Sequence, residues 1–368
     1  MRLTIERKPT EYLHKRTVLP QTSYWAKVKE KQGYKPRAFS FKVDNEITKD
    51  YQSSDDILII IRNIGKQGCI AYVPYGPDID ITEEKQGVFL EVLSESLRQY
   101  LPKNCIFIRY DLAWASPWQY DDNCYDDFGQ WMGPPETRIQ ELRMNFDTQN
   151  WNLRKAPSDV LPSHTIFLNL KKNKKDLLNS MKSKTRYNIR LSYRKGVSVY
   201  DVSTDNLKIW HKLYQETAIR NGIVYRDINH FRTILETRAE NTASPANVHM
   251  LLAEANGDAL AALLLVISGG RATYLYGASS AKNRKLMATY ALQWDAICKA
   301  KSEGCKEYDF FGISPTPDKS HPMYGLYRFK KGFGGTEFHR QGCWDYPLNE
   351  DAYELYRTVE ISSKGYYV

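Results

Sequence analysis

Ten basic residues stand between Lys171 and Lys195 against one acid, Asp176, so a single segment carries an excess of nine positive charges. The whole chain of 368 residues has 52 lysines and arginines against 43 aspartates and glutamates, a net of +9, which leaves the remainder near balance. A field concentrated in this way draws polyanions: nucleic acid, nucleotide-linked substrates or an anionic membrane face. Metal and thiol chemistry have less to work with. The six cysteines, Cys69, Cys105, Cys124, Cys298, Cys305 and Cys343, form no CxxC pair, and none of the seven histidines stands in an HExxH spacing, so no metal is expected. Two single side chains complete the set. Asp111 follows the apolar run from Cys105 to Tyr110 and reads as a strand-end carboxylate; Lys330, between Phe329 and Lys331, reads by itself as a surface lysine of a basic loop.

Elements able to hold these groups are legible around them. The length suits two domains of ~150 to 200 residues, and 42% hydrophobic with 13% aromatic residues is enough for a buried core. No apolar run approaches the ~20 residues of a membrane span, and Met1 to Thr10 has no apolar segment behind its charges, so a cytoplasmic protein is expected. Period and punctuation predict a helix over Tyr24 to Lys31, strands over Arg37 to Val43 and Ile57 to Asn63 about a polar turn at Asp44 to Asp56, a strand over Gly68 to Tyr75, a helix over Glu83 to Tyr100 and a strand over Cys105 to Tyr110. The Trp, Pro, Asp and Gly mixture from Asp111 to Pro162 marks the domain junction. Beyond it come a strand at His164 to Leu170, one or two basic helices, a strand at Val197 to Val202, and helices over Asp205 to Asn221 and Ile228 to Glu240. Three strands follow, Val248 to Ala255, Ala259 to Ile267 and Ala272 to Ala278, the first two joined at the hairpin signal Asn256-Gly257-Asp258, then a helix over Ala288 to Glu303 and a strand over Glu307 to Phe311. Both halves read as mixed α/β modules, the first a shorter version of the second.

Four stretches occur in an order that matches a known family. Lys184-Thr185-Arg186-Tyr187-Asn188-Ile189-Arg190 with Lys195-Gly196-Val197, and Leu326-Tyr327-Arg328-Phe329-Lys330-Lys331-Gly332-Phe333-Gly334, resemble the Fem family of peptidoglycan interpeptide-bridge transferases. Ser23-Tyr24-Trp25-Ala26-Lys27-Val28-Lys29 and Val73-Pro74-Tyr75-Gly76-Pro77 are similar to two further motifs of that family. The resemblance implies an α/β (α+β) fold of two tandem Gcn5-related N-acyltransferase (GNAT)-like domains, the first from residues 1–158 and 344–368, the second from 159–343. It also implies a reaction in which aminoacyl-tRNA donates glycine, alanine or serine to the side-chain amine of the third stem residue of UDP-MurNAc-pentapeptide or its lipid-linked form, lipid II. No heptad run long enough for a coiled-coil arm is present, so the chain resembles the short members.

The same resemblance implies roles. Lys330 stabilises developing negative charge, with Phe329 beside it shaping the channel for the tRNA end. Asp111 binds the acceptor amine or helps remove its proton. Lys27 and Arg226 contact the acceptor's diphosphate, and Tyr274 and Tyr276 face the acceptor; with period 2 both tyrosines are expected on one side of their strand. Lys182, Lys184, Arg186 and Arg190 serve the tRNA. The donor is already an activated ester, so neither cofactor nor metal is required, and positioning with charge stabilisation suffices. Peripheral contact with the inner membrane face is compatible with the positive charge.

Other readings stay open at this point. A conventional N-acetyltransferase needs a glycine-containing pyrophosphate loop, whereas the corresponding helix start reads Arg284-Lys285-Leu286-Met287-Ala288-Thr289, without glycine. A tRNA-binding protein without catalysis accounts for the basic segment alone. An acyltransferase on a non-peptidoglycan acceptor has the same residues.

Overall fold

A computed structural model describes residues 1–43, 54–65, 68–316 and 318–362. The chain divides into two compact units, one of Met1–Ser163, Asn241–Ser244 and the chain from His339 onward, the other of His164–Glu240 and Pro245–Phe338. In chain order the first unit contains β1 (Leu3–Lys8), α1 (Ser23–Lys31), β2 (Lys35–Val43), β3 (Ser54–Asn63), β4 (Cys69–Val73), α2 (Gln86–Arg98), β5 (Cys105–Ala115), α3 (Thr137–Met144) and β6 (Arg154–Lys155). The second contains β7 (His164–Asn169), α4 (Lys174–Ser180), α5 (Ser183–Arg194), β8 (Ser198–Val202), α6 (Leu207–Asn221), α7 (Ile228–Glu236), β9 (Asn247–Ala255), β10 (Asp258–Ser268), β11 (Arg271–Ser279), α8 (Ala288–Ser302), β12 (Glu307–Asp309) and α9 (Tyr324–Lys331). The chain closes with β13 (Thr336–Pro347) and α10 (Glu350–Ser362).

The two units share one strand plan. In the first, β1, β2, β3 and β4 pair antiparallel in succession, α2 crosses over, β5 joins β4 in parallel, and β13 joins β5 antiparallel. In the second, β8, β9, β10 and β11 pair antiparallel, α8 crosses over, β12 joins β11 in parallel, and β7 joins β12 antiparallel. A parallel step demands a crossover element, and a helix over the sheet face supplies it. Central strands are therefore covered on both faces, which is why Ile57 to Ile61 and Ala261 to Val266 are continuous apolar runs rather than alternating ones, all of them buried. In the second unit α8 and part of α5 cover one face, with Leu263 and Leu265, while α6 and α7 cover the other, with Ala262 and Leu264.

Local chemistry fixes the turns. The β9–β10 hairpin places Asn256 at φ 54° and Gly257 at φ 78°, the left-handed pair that a two-residue turn needs. Gly222 at φ 63° ends α6, and the Thr22 hydroxyl caps α1 by accepting from the Trp25 amide at 3.1 Å.

The structure departs from the sequence reading at several elements. β5 continues five residues past Tyr110, because β13 pairs with it as far as Ala115. α7 stops at Glu236, where Thr237 turns to an extended conformation, instead of reaching Glu240. β12 ends at Asp309 and not at Phe311, which has φ 55°. The polar turn expected at Asp44 to Asp56 falls mostly on residues 44–53, outside the described residues, and β3 already begins at Ser54. Helices α3, α9 and α10 and the strands β1 and β13 have no counterpart in the sequence reading. No helix among the described residues is long and apolar enough to cross a membrane.

Candidate functional site

Asp111 lies in the middle of β5, not at its end, and is fully buried. Tyr110 before it points into the core beneath α2, so alternation turns Asp111 to the opposite face, where Tyr72 of β4 meets it. Oδ2 accepts from the Tyr72 hydroxyl at 2.8 Å and from the Leu161 amide at 2.9 Å, while Oδ1 is buried without a hydrogen-bond partner. Burial, reinforced by the neighbouring Asp159 carboxylate, pushes its pKa from 3.8 up to about 7, against the pull of Tyr72, the Leu161 amide and Arg340. Such a carboxyl exchanges a proton near neutral pH, the property a general base or acid requires. Lys27, half-buried in α1, belongs to the same unit.

Lys330 is the counterpart in the second unit. The basic run that reads as a loop is the helix α9, and its amphipathic spacing turns Tyr327 and Lys330 inward while Arg328 and Lys331 stay outside. Lys330 is 4% exposed. Its Nζ donates to the carbonyls of Gly312 at 2.6 Å and Phe311 at 3.2 Å and stands 5.1 Å from the centre of the Tyr274 ring. No carboxylate among the described residues forms a salt bridge with it. Burial lowers its pKa from 10.5 to about 7, with Asp309 opposing the shift. An amine in this state is poised to hold or release a proton and to stabilise an oxyanion when charged. Phe329 next to it packs edge-on against Tyr290 and Phe333, ring centres 5.1 Å away in each case.

The tyrosine pair does not share one side of its strand. In the register, Leu264 faces Tyr276 and Leu265 faces Tyr274, so Leu275 is an extra residue, a β-bulge, and the period of two is broken between them. Tyr274 packs with the core on the α8 face, beside Lys330, and Tyr276 with the core on the α6–α7 face. The Tyr274 hydroxyl occupies the space over Gly277, where a Cβ would approach it to 1.8 Å, so a larger residue there would have to displace the Tyr274 ring. On the other face the Tyr276 hydroxyl lies 3.0 Å from His230 Nε2, and burial raises its pKa to about 12 in spite of the nearby Arg226 charge. Arg226 itself is exposed on the α6–α7 loop, which is pinned by the Tyr214 hydroxyl donating to the Val224 carbonyl at 2.9 Å, with His211 Nε2 3.2 Å from the Arg226 carbonyl. Tyr274 is thus grouped with Lys330, and Tyr276 with Arg226.

The basic segment forms α4 and α5, with Leu177, Met181 and Ile189 buried beneath it and Lys182, Lys184 and Arg190 exposed. Arg186 differs: its guanidinium bends back to the carbonyls of Asn179 and Met181 and staples the α4–α5 turn. The start of α5 abuts the end of α9. The Lys182 amide donates to the Gly332 carbonyl at 2.9 Å, and a Cβ on Gly332 would stand 2.4 Å from the Thr185 hydroxyl, so the cationic face and the Lys330 helix meet closely at this glycine. Tyr72, Leu161, Asp159, Thr165 and Asp309 escaped the sequence reading, being distant in the chain from the groups they support. The one local hint was Asp309 two residues before Phe311-Gly312, a spacing that suits an Asx-type turn.

A model of the FemAB family matches residues 11–258 and 239–361 of this chain. The lipid II:glycine glycyltransferase of Staphylococcus aureus (strain USA300) is 25% identical over 285 residues, covering 60% of this chain and 68% of that protein. Among solved structures, the crystal structure of FemX superposes with a TM-score of 0.69 at 20% identity, over 92% of this chain and 94% of that one. A tandem GNAT protein from the clavulanic acid biosynthesis pathway superposes with a TM-score of 0.51 at 10% identity, over 94% and 98%. These two likenesses show the fold, a pair of GNAT-like modules, as the duplicated strand plan indicates. With a family model covering most of its length and the ordered Trp25, Tyr187 and Phe329-Lys330 motifs in place, the chain belongs to the FemAB family.

Proposed function

We propose that this protein is an aminoacyltransferase that moves an amino acid from aminoacyl-tRNA to the side-chain amine of the third stem residue of a peptidoglycan precursor. The observation that carries this reading is Lys330: a buried lysine with no salt bridge among the described residues, held by two backbone carbonyls, on a helix whose end meets an exposed cationic face. A buried amine of that kind is costly for a fold to keep, and a role in handling charge at a reacting ester accounts for it. The named activity of the Staphylococcus aureus relative, glycyl transfer to lipid II, supports the same class of reaction. Lys182, Lys184 and Arg190 supply phosphate contacts for the tRNA; Arg226 and Lys27 are each proposed to meet the acceptor's diphosphate. Asp111 takes the proton of the amine as its nitrogen bonds to the ester carbon, the ester C–O bond breaks, and the departing ribose oxygen of the tRNA takes up a proton. The reaction proceeds at the cytoplasmic side, where both charged tRNA and precursor are made.

The test is direct. Purified protein is incubated with UDP-MurNAc-pentapeptide or lipid II and with tRNA charged with glycine, alanine or serine, and the acceptor is weighed by mass spectrometry. One added residue identifies donor, acceptor and reaction together. No gain with any combination, while tRNA still binds, overturns transfer to peptidoglycan.

A further inference from the structure

Between β7 and the segment after β12 the backbone pairing is interrupted in a specific way. Phe310 donates to the Ile166 carbonyl at 3.0 Å and Ile313 to the His164 carbonyl at 3.0 Å, and only Phe311 and Gly312 between them bulge away from β7. Their two carbonyls are the ones that grip Lys330 Nζ. Phe311 adopts φ 55°, which a bulky aromatic residue adopts only under external constraint. The constraint is Asp309, 3% exposed, whose Oδ1 accepts from the Phe311 amide at 2.8 Å and from the Thr165 hydroxyl of β7. We infer that Asp309, anchored by Thr165, is the positioning residue of Lys330: it folds the Phe311–Gly312 bulge so that both carbonyls converge on Nζ, and it supplies the carboxylate whose field supports the ammonium form. The inference rests on Lys330 acting in transfer.

The surroundings single out Asp309 for this part. The Tyr274 ring from β11 lies over Lys330, and Asp309 from β12 acts on it through its charge, opposing the fall in its pKa. Tyr308, also of β12, has its hydroxyl engaged by Gln293 of α8. The other cations of α9 are directed elsewhere, Arg328 over the Tyr324 ring and Lys331 to Glu337 and the Tyr327 hydroxyl. Asp309 thus acts twice, through the backbone it bends and through its charge, and Asp309→Asn separates the two because an amide oxygen still accepts both hydrogen bonds.

The experiment follows the proton on Lys330 in the full-length protein by NMR of lysines labelled with ¹³C at Cε, the Lys330 signal being assigned by its loss in Lys330→Met. The wild-type midpoint is expected at about 7. Asp309→Asn should move it down by on the order of half a pH unit or more and lower kcat at neutral pH roughly 10-fold with the acceptor KM little changed. Thr165→Val keeps the charge but loosens the bulge, so kcat should fall by a smaller factor with the midpoint nearly in place. A folded Asp309→Asn protein with an unaltered Lys330 midpoint overturns the charge part of the inference, and an unaltered kcat in folded Thr165→Val overturns its positioning part; should Asp309→Asn not fold, Thr165→Val alone decides. If the wild-type protein transfers nothing, the proposed function fails, while the NMR titration still decides whether Asp309 governs Lys330.

Discussion

Each unit lays down the same order of strands and has a buried ionisable side chain whose pKa is moved toward neutrality, Asp111 in the first and Lys330 in the second, yet the two groups are held in opposite ways. Asp111 is a strand residue met by donors, a phenol and an amide; Lys330 is a helix residue met by acceptors, two carbonyls. Burial penalises whichever form is charged, so the same desolvation lifts the acid to about 7 and drops the amine to about 7. One architecture thus yields an acid and a base that both exchange protons near neutral pH, and the difference lies in the sign of the group and the polarity of its partners. In α/β folds the sheet supplies the desolvation; the chemistry comes from the few groups that replace water.

The comparison is broken most severely by Lys330→Met, which should lower the single-turnover rate of transfer by on the order of 10²-fold or more while leaving acceptor affinity nearly unchanged. A rate like that of the wild type would reduce Lys330 to an oddity of packing. Next in size is the effect on stability, where the two groups should act in opposite pH windows. Lys330 has its folded pKa lowered from 10.5, so its contribution to stability is present above 10.5 and is lost as pH falls through about 7. Asp111 has its folded pKa raised from 3.8, so its contribution is present below 3.8 and is lost as pH rises through about 7. Urea titrations across pH should therefore show Asp111→Asn flattening the decline between about 4 and 7, and Lys330→Met flattening the rise between about 7 and 10.5, each slope on the order of 1 kcal/mol per pH unit. Slopes indifferent to both substitutions would mean that the two groups keep ordinary pKa values. The smallest effect concerns the cationic face of the second unit: exchanging Lys182, Lys184 and Arg190 together for glutamine should weaken tRNA binding and reduce the log–log salt slope by about 2. If binding and slope are retained, the tRNA lies on other residues.

Much of this molecule was legible because its information is local. The Asn256-Gly257 turn, the Gly222 cap and the apolar runs of β3 and β10 each follow from a few neighbouring residues, and they sufficed for the α/β class and the duplicated plan. The candidate site was legible only in part. Asp111 and Lys330 could be picked out through the Fem motifs, but not their surroundings: Asp111 read as a strand end because its partner strand β13 begins more than two hundred residues later in the chain. Lys330 read as surface because a charged residue in a basic run ordinarily is.

The sequence alone determined the two-module α/β plan, the cationic segment and the family motifs, since hydrophobic period, turn chemistry and charge density are properties of contiguous residues. Only the tertiary structure decided which groups are desolvated and what meets them. It placed Asp111 against Tyr72, bent Phe311 around Asp309, and inserted Leu275 as a bulge that sends Tyr274 and Tyr276 to opposite faces. Burial and strand register depend on segments far apart in the chain, and a shift of one residue in register reverses which face a side chain occupies.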